Sequence, residues 1–382
     1  MDDVQAPVIP IIADMIAATP GTISLGQGVV YYGPPASAYS ALKNIHRDGN
    51  LHVYGHTAGL PSLRKQIAGK LNQENRIDTA RGYAVIVTAG SNMGFLNTLF
   101  AISYPGDEII LSVPYYFNHE MAIRMVGCTP MLVNTDVNYR LRIDAIEQAI
   151  TARTRAVVTI SPNNPTGVVY TQEALEAVNR LCREYGIYHV NDEAYEYFTY
   201  GTARHFSPGS LDDSKEYTIS LFSLSKAYGF ANWRIGYMVV PEHLQTAIYK
   251  VQDTNLICPP ITSQLAAAGA LATGRQYCDN KRTVITENRE IMLTNLSEIN
   301  DICTIPDNQG AFYILIKVRT GLDDMTVIRR LISEYRVAAL PGSTFGMSGG
   351  CYLRIAYGAL SKENAAEGIQ RLKNGLKNIV NG

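Results

Sequence analysis

The stretch that most constrains this chain is Ser223–Tyr237, which reads SLSKAYGFANWRIGY. An apolar, β-prone run, Tyr217–Phe222, leads into two serines that alternate with leucine. Lys226 follows, and Arg234 stands eight residues beyond it, just before a second strand-like segment, Ile235–Val240. A lysine at the carboxyl end of a buried strand is held partly desolvated, which lowers its pKa and makes the amine nucleophilic. Hydroxyls at Ser223 and Ser225 and the guanidinium of Arg234 are the groups that a phosphate monoester anchored beside the lysine would need. A surface lysine after a strand would leave the same short pattern, so the rest of the chain has to decide.

At 382 residues the chain is long enough for two domains. Hydrophobic content of 46% and charged content of 18% describe a soluble globular enzyme rather than a disordered or fibrous chain. A net charge of −1 and a pI near 6.7 point to neither nucleic acid nor an anionic membrane as partner. The amino terminus, MDDVQAPVIPIIADM, is acidic and broken by prolines, unlike a secretory signal. The longest apolar run, Leu265–Ala272, falls well short of the ~20 residues of a membrane span. Six cysteines (Cys128, Cys182, Cys258, Cys278, Cys303 and Cys351) are scattered with no C-x-x-C pair, which predicts reduced thiols and a cytoplasmic location.

Along the chain, strand and helix patterns alternate, with unusual turns at the strand ends. Gly26 and Gly28 flank Gln27 in SLGQGVVYYGPP, a glycine-rich turn closing an N-terminal arm. Pro61 suits a helix start, and Leu63, Ile67 and Leu71 fall on one helical face. His52 and His56 are four apart, but the glycines around them argue against a helix and no third ligand follows, so a metal pair is not favoured. Ala84–Thr88 reads as a strand, and Ala89-Gly90-Ser91-Asn92 turns into a helix carrying Phe95, Leu99 and Ile102. Such a turn presents free N–H groups and a positive dipole end to a phosphate. No Gly-Lys-Ser/Thr follows, so it is not a Walker loop. A buried strand then leads to Tyr115, Tyr116 and Phe117, which as sequence alone could be core aromatics. Helices are predicted over Arg142–Ile150, Thr171–Tyr185 and Pro241–Val251, with strands at Ala156–Ile160 and Ile187–Val190. SPNNPTG (Ser161–Gly167) dictates a rigid loop at a strand's carboxyl end. Asp192 and Tyr195 follow another strand, where capping would explain them equally well. Arg354 lies in the alternating strand CYLRIAYG, projecting from an edge or meeting an anion.

These segments, in this order, resemble the fold type I, pyridoxal-phosphate-dependent aminotransferases of class I/II, the aspartate aminotransferase superfamily. The resemblance runs through L-G-x-G, Y-x-x-x-x-GLP-x-LR, TAGS, PYY, NNPTG, DEAY, SLSK, Arg234 and the late Arg354, and covers nearly the whole chain. It implies an open, mostly parallel α/β sheet with helices on both faces, plus a smaller α/β domain. The expected division is a large cofactor domain over 36–275, with 1–35 and 276–382 forming the small one. It implies pyridoxal 5′-phosphate as cofactor and Lys226 as the Schiff-base lysine and proton shuttle. Asp192 would hold the pyridine nitrogen, with His119 behind it. Tyr116 would stack on the ring, and Asn164 and Tyr195 would hydrogen-bond its phenolic oxygen. Gly90, Ser91, Asn92, Ser223, Ser225 and Arg234, with Tyr54 from a second subunit, would surround the phosphate. Arg354 would clamp the substrate carboxylate, with Gly28 and Asn164 beside it.

The implied reaction is amino-group transfer between an L-amino acid and a 2-oxo acid, in a homodimer with shared active sites. A C–S β-lyase is the alternative within enzymology, and a non-catalytic binding protein the one outside it. In family members that take dicarboxylates, an arginine from the partner subunit lies just before a Pro-Pro pair and binds the distal carboxylate. Here VQDTNLICPP (Val251–Pro260) has no basic residue and Asp253 falls near that position, so neutral substrates, aromatic or long and unbranched, are expected. A basic side chain paired with Asp253 is the alternative, as is broad specificity with Asp253 a surface residue at a helix end. Tyr31 and Tyr32 would add aromatic walls, and aspartate should be a poor substrate.

Overall fold

The computed structural model describes residues 1, 3–43, 45, 49–80 and 82–381. An N-terminal helix, α1 (Val8–Ala17), precedes a two-residue strand, β1 (Ile23–Ser24). Seven strands then build one sheet: β2 (Tyr83–Thr88), β3 (Glu108–Val113), β4 (Thr129–Asn134), β5 (Thr154–Ile160), β6 (Tyr188–Asp192), β7 (Thr218–Ser223) and β8 (Gly236–Pro241). Their order is β2-β8-β7-β6-β5-β3-β4, and only β8 runs against its neighbours. The mostly parallel sheet expected from the sequence is the one observed.

Parallel strands are covered on both faces, so their sequences run apolar without a break. Successive side chains still point to opposite faces. In β3, Ile109 and Leu111 join Phe95, Leu99 and Ile123 in one cluster, whereas Ile110 joins Val178 and Cys182 in another. The helix that supplies Val178, Gln172–Tyr185, shows why these residues are helical. The Thr171 side chain accepts from the Ala174 N–H, one apolar face carries Leu175, Val178 and Cys182, and Gly186 ends it in the left-handed region. Predicted boundaries move where caps or pairing decide them. Pro241 is the last residue of β8, paired with Tyr83, so the helix expected from it begins only at Gln245 and runs to Asn255. The helix expected over Arg142–Ile150 is Ile143–Gln148.

A second, antiparallel sheet has the order β12-β13-β10-β9, from β9 (Cys303–Thr304), β10 (Tyr313–Val318), β12 (Leu340–Pro341) and β13 (Cys351–Ala356). Between them, β11 (Val337–Ala338) pairs with β1 and so ties the N-terminal arm to the C-terminal third of the chain. Among the described residues, no helix is long and apolar enough to cross a membrane. All six cysteines are free, five of them buried.

Candidate active site

The chemistry-bearing segments meet at one edge of the large sheet. The carboxyl ends of β2, β3, β5, β6 and β7 lead respectively to Ser91 and Asn92, Tyr116, Asn164, Asp192 and Lys226. Because β8 is antiparallel, its beginning lies at that same edge: Gly236 is in register with both Thr88 and Ser223. That register brings Arg234 to the turn after β2, where its Nη2 lies 3.5 Å from the Ala89 carbonyl. A Cβ at Gly90, whose φ is +86°, would overlap the Arg234 guanidinium, so the turn needs glycine twice over.

A cavity of about 600 Å³ opens here, lined by Ser91, Asn92, Tyr116, Asn164, Asp192, Tyr195, Ser223, Ser225, Lys226, Arg234 and Arg354, with Gly28 from the N-terminal arm. Of the predicted site residues, Gly90 caps the helix Ser91–Ile102 behind this wall. His119 is buried with its Nε2 3.2 Å from Asp192 Oδ2 and its ring stacked on Phe95. Tyr54 is the one that stays apart: it is 79% exposed and outside the cavity.

Lys226 sits in the short helix Leu224–Ala227, capped by the Ser223 hydroxyl accepting from the Ser225 N–H. Its Nζ donates to the Gly28 carbonyl at 2.6 Å. Burial, then the Arg354 and Arg234 charges, push its amine down to about 8, against an opposing pull from Asp192. Asp192 Oδ1 accepts from the Ala194 N–H at 3.0 Å. Asn164 Nδ2 lies 3.5 Å from the Tyr195 hydroxyl, while its Oδ1 accepts from Arg354 Nη1 at 3.0 Å. Arg354 also donates from Nη2 to the Gly26 carbonyl at 2.7 Å, and lies between the rings of Tyr313 (4.4 Å) and Phe345 (5.0 Å). Among the described residues its Nε has no partner and no carboxylate pairs with it, so a buried cation faces the cavity without a counter-charge.

The donor set fits pyridoxal phosphate: a lysine with a lowered pKa, a buried carboxylate, an arginine and hydroxyls at a glycine-opened helix start, and a second, unpaired arginine. Residues 20–372 match the family described as aminotransferase class I and II. The chain belongs to the class I and II aminotransferases. It is therefore a pyridoxal-phosphate-dependent enzyme that transfers amino groups between amino acids and 2-oxo acids. An aromatic aminotransferase of Arabidopsis thaliana, ISS1, is 31% identical across 98% of this chain and 94% of its own. A probable aspartate/prephenate aminotransferase of Aquifex aeolicus is 33% identical, covering 94% and 91%. A crystal structure of a Pyrococcus protein named A1 superposes with a TM-score of 0.93 at 32% identity, covering 98% and 97%.

Several features of this aminotransferase's site are not those its sequence predicts. Tyr31 and Tyr32, expected to wall the cavity, do not line it. The Tyr32 hydroxyl instead donates to the Ala227 carbonyl at 3.0 Å, and Tyr31 packs edge-on against Tyr32. The apolar wall comes from α1, through Ile9, Ile12, Ala13 and Ile16. Tyr313 also lines the cavity, its hydroxyl 2.9 Å from that of Tyr195. Asp253, at the position from which an arginine would reach the partner subunit's site, is exposed in the last turn of its helix, 3.4 Å from the Thr57 hydroxyl and outside this chain's own cavity. His52 lies in a short 3-10 turn, and His56 Nδ1 accepts from the Ala58 N–H at 3.0 Å. Among the described residues no group of three or more His, Cys, Asp or Glu side chains is placed to hold a metal.

Proposed function

We propose that this aminotransferase takes neutral L-amino acids with aromatic or long, unbranched side chains. The observation that carries this is the charge inventory of the cavity. Among the described residues its wall holds three cations, Lys226, Arg234 and Arg354, and the remaining surface includes the apolar face of α1. If these three serve the cofactor aldehyde, the phosphate and the substrate α-carboxylate, this chain supplies none for a side-chain carboxylate. Burying one there unpaired would cost several kcal/mol, on the order of 3–5. The relatives carry both aromatic and aspartate/prephenate names, so the choice rests on the wall itself.

Residue roles follow from the same chemistry. The bound cofactor serves as an electron sink for the substrate's Cα electrons. Lys226 holds it when substrate is absent, and moves the Cα proton when substrate is present, its lowered pKa leaving much of the amine neutral near pH 8. Asp192, steadied by His119, keeps a positive ring nitrogen paired. Asn164 and Tyr195 face the phenolic oxygen, and Tyr116 covers the ring. Ser91, Asn92, Ser223, Ser225, Arg234 and the Gly90 turn hold the phosphate, completed by the partner subunit's Tyr54. Arg354 orients the substrate through its carboxylate, with Gly28 closing that end, and so selects which Cα bond breaks. We assign residues 36–275 to a cofactor-binding domain and 1–35 with 276–382 to a smaller one. The protein is taken to act in the cytoplasm as a homodimer.

Single-turnover conversion of the bound cofactor across a panel of amino acids tests the substrate reading. Phenylalanine and methionine should react faster than aspartate, and the reverse order would overturn it.

A further inference from the structure

Tyr313 stands where three parts of the site meet. In the antiparallel β10–β13 pair, Leu315 is opposite Arg354, so Tyr313 is diagonal to Arg354 on the same face. Diagonal neighbours lie within reach of long side chains, and the Tyr313 ring lies against the Arg354 guanidinium, 4.4 Å from its centroid. Its hydroxyl extends beyond the cation to 2.9 Å from the Tyr195 hydroxyl, with the two rings edge to face. The N-terminal arm passes so close that a Cβ at Gly28 would lie 2.7 Å from the Tyr313 oxygen. Tyr313 is 1% exposed.

Between two phenols at this distance one proton is shared, and the surrounding bonds decide whose it is. Arg354 Nη1 holds Asn164 Oδ1, which turns the amide Nδ2 toward the Tyr195 oxygen. An amide nitrogen only donates, so the Tyr195 oxygen is the acceptor in that contact. If Tyr313 also donates to Tyr195, then Tyr195 keeps its own O–H for the cavity. If Tyr195 donates to Tyr313, that proton is spent. We infer that the Tyr313 hydroxyl donates to Tyr195 and thereby aims the Tyr195 O–H at the cofactor, which makes Tyr313 a positioning residue for the reaction. The placing of Tyr195 requires the first arrangement, because Asn164 and Tyr313 are the two side chains within hydrogen-bond reach of its oxygen and only one of them can take its proton. Burial raises both phenols, and the Arg354 charge opposes that rise in both. A hydroxyl that accepts on its oxygen also donates more strongly, because hydrogen bonds in a chain polarise one another.

This inference rests on the proposed placing of Tyr195 beside the cofactor's phenolic oxygen. The test is the pH midpoint of the absorbance of the lysine-bound cofactor, without substrate, in wild-type holoenzyme and in Tyr195→Phe, Tyr313→Phe and the double variant. A donor to an anionic oxygen favours the deprotonated form, so losing it raises the midpoint. Tyr313→Phe should raise the proton affinity about three- to tenfold, less than Tyr195→Phe does. The double variant should match Tyr195→Phe alone, because Tyr313 acts only through Tyr195. Affinity for 3-phenylpropionate should stay within about twofold in Tyr313→Phe, since the ring beside Arg354 remains. An unmoved midpoint in Tyr313→Phe, or a double variant whose shifts simply add, overturns the inference alone. If Tyr195→Phe moves nothing, the placing of Tyr195 fails and the inference falls with it.

Discussion

Lys226 Nζ donates a 2.6 Å hydrogen bond to the carbonyl oxygen of Gly28, across 198 residues of sequence. The bond joins the end of β7 to the N-terminal arm and holds the amine over the cavity, where burial and two arginines disfavour its charge. In the cofactor-free protein, acylation of Lys226 by an amine-directed reagent should therefore rise with pH through about 8 rather than through the ordinary 10.5. The sign follows from the cause: burial penalises the ammonium, so the neutral, reactive form takes over at lower pH. Arg354→Met removes one repelling charge and should move the midpoint upward. Peptide mass spectrometry at Lys226 reads both, and a midpoint near 10 in the unaltered protein would contradict the electrostatics.

Borohydride treatment of the holoenzyme should fix the cofactor on Lys226. An adduct on another lysine would remove the basis of the whole assignment.

Asp192 is 4% exposed and is backed by His119. Asp192→Ala should keep the cofactor, whose phosphate contacts lie elsewhere, and lose about 30- to 1,000-fold in turnover, the worth of ~2–4 kcal/mol for one charged contact in a dry site. Near-normal turnover in this variant would show that the carboxylate does not serve the ring nitrogen.

Much of this arrangement was legible in the sequence because parallel strands impose it. Apolar runs ended in turns that carry chemically capable residues, and the sheet gathers those ends along one edge. Lys226, Asp192, Asn164 and Ser91 could be grouped without knowing the strand order. Arg234 could be grouped with Lys226 by spacing, but its place at the turn after β2 depends on β8 running antiparallel. Tyr313 was illegible: in GAFYILIKV it looks like another apolar strand residue, and only the β10–β13 register sets it diagonal to Arg354. Tyr31 and Tyr32 misled because proximity to Gly28 in sequence says nothing of direction, and Tyr32 turns to the backbone of the Lys226 helix instead. The apolar spacing of Ile9, Ile12 and Ile16 shows a helix, yet the surface it covers depends on β1 pairing with β11 far along the chain.

Tyr54 and Val53 are 79% and 69% exposed, an apolar pair that a lone chain leaves in water. Sedimentation should find a dimer at micromolar concentration. Tyr54→Phe should leave that dimer intact and weaken cofactor binding about 10- to 100-fold, the worth of a hydrogen bond to a charged phosphate. An active monomer, or an unchanged affinity, would count against the shared site.

The last prediction concerns α1, whose Ile12 is 2% exposed and whose Ile16 is half-buried on the cavity wall. An apolar wall discriminates by contact area, and shortening one side chain there is worth ~1–3 kcal/mol to a substrate that touches it. Ile16→Ala should therefore lower kcat/KM for phenylalanine about tenfold, and leave alanine, whose methyl does not reach the wall, nearly unchanged. Ile16→Arg makes the opposite change: it adds a fourth cation to the wall, penalises apolar side chains by desolvation, and gives a distal carboxylate a partner. Aspartate should gain relative to phenylalanine in that variant. The ratio of the two kcat/KM values, measured in both variants, is the reading that matters, because a general loss of folding would lower both substrates together and leave the ratio where it was. If neither substitution moves the ratio, α1 covers the cavity without contacting the substrate, and the source of specificity lies elsewhere.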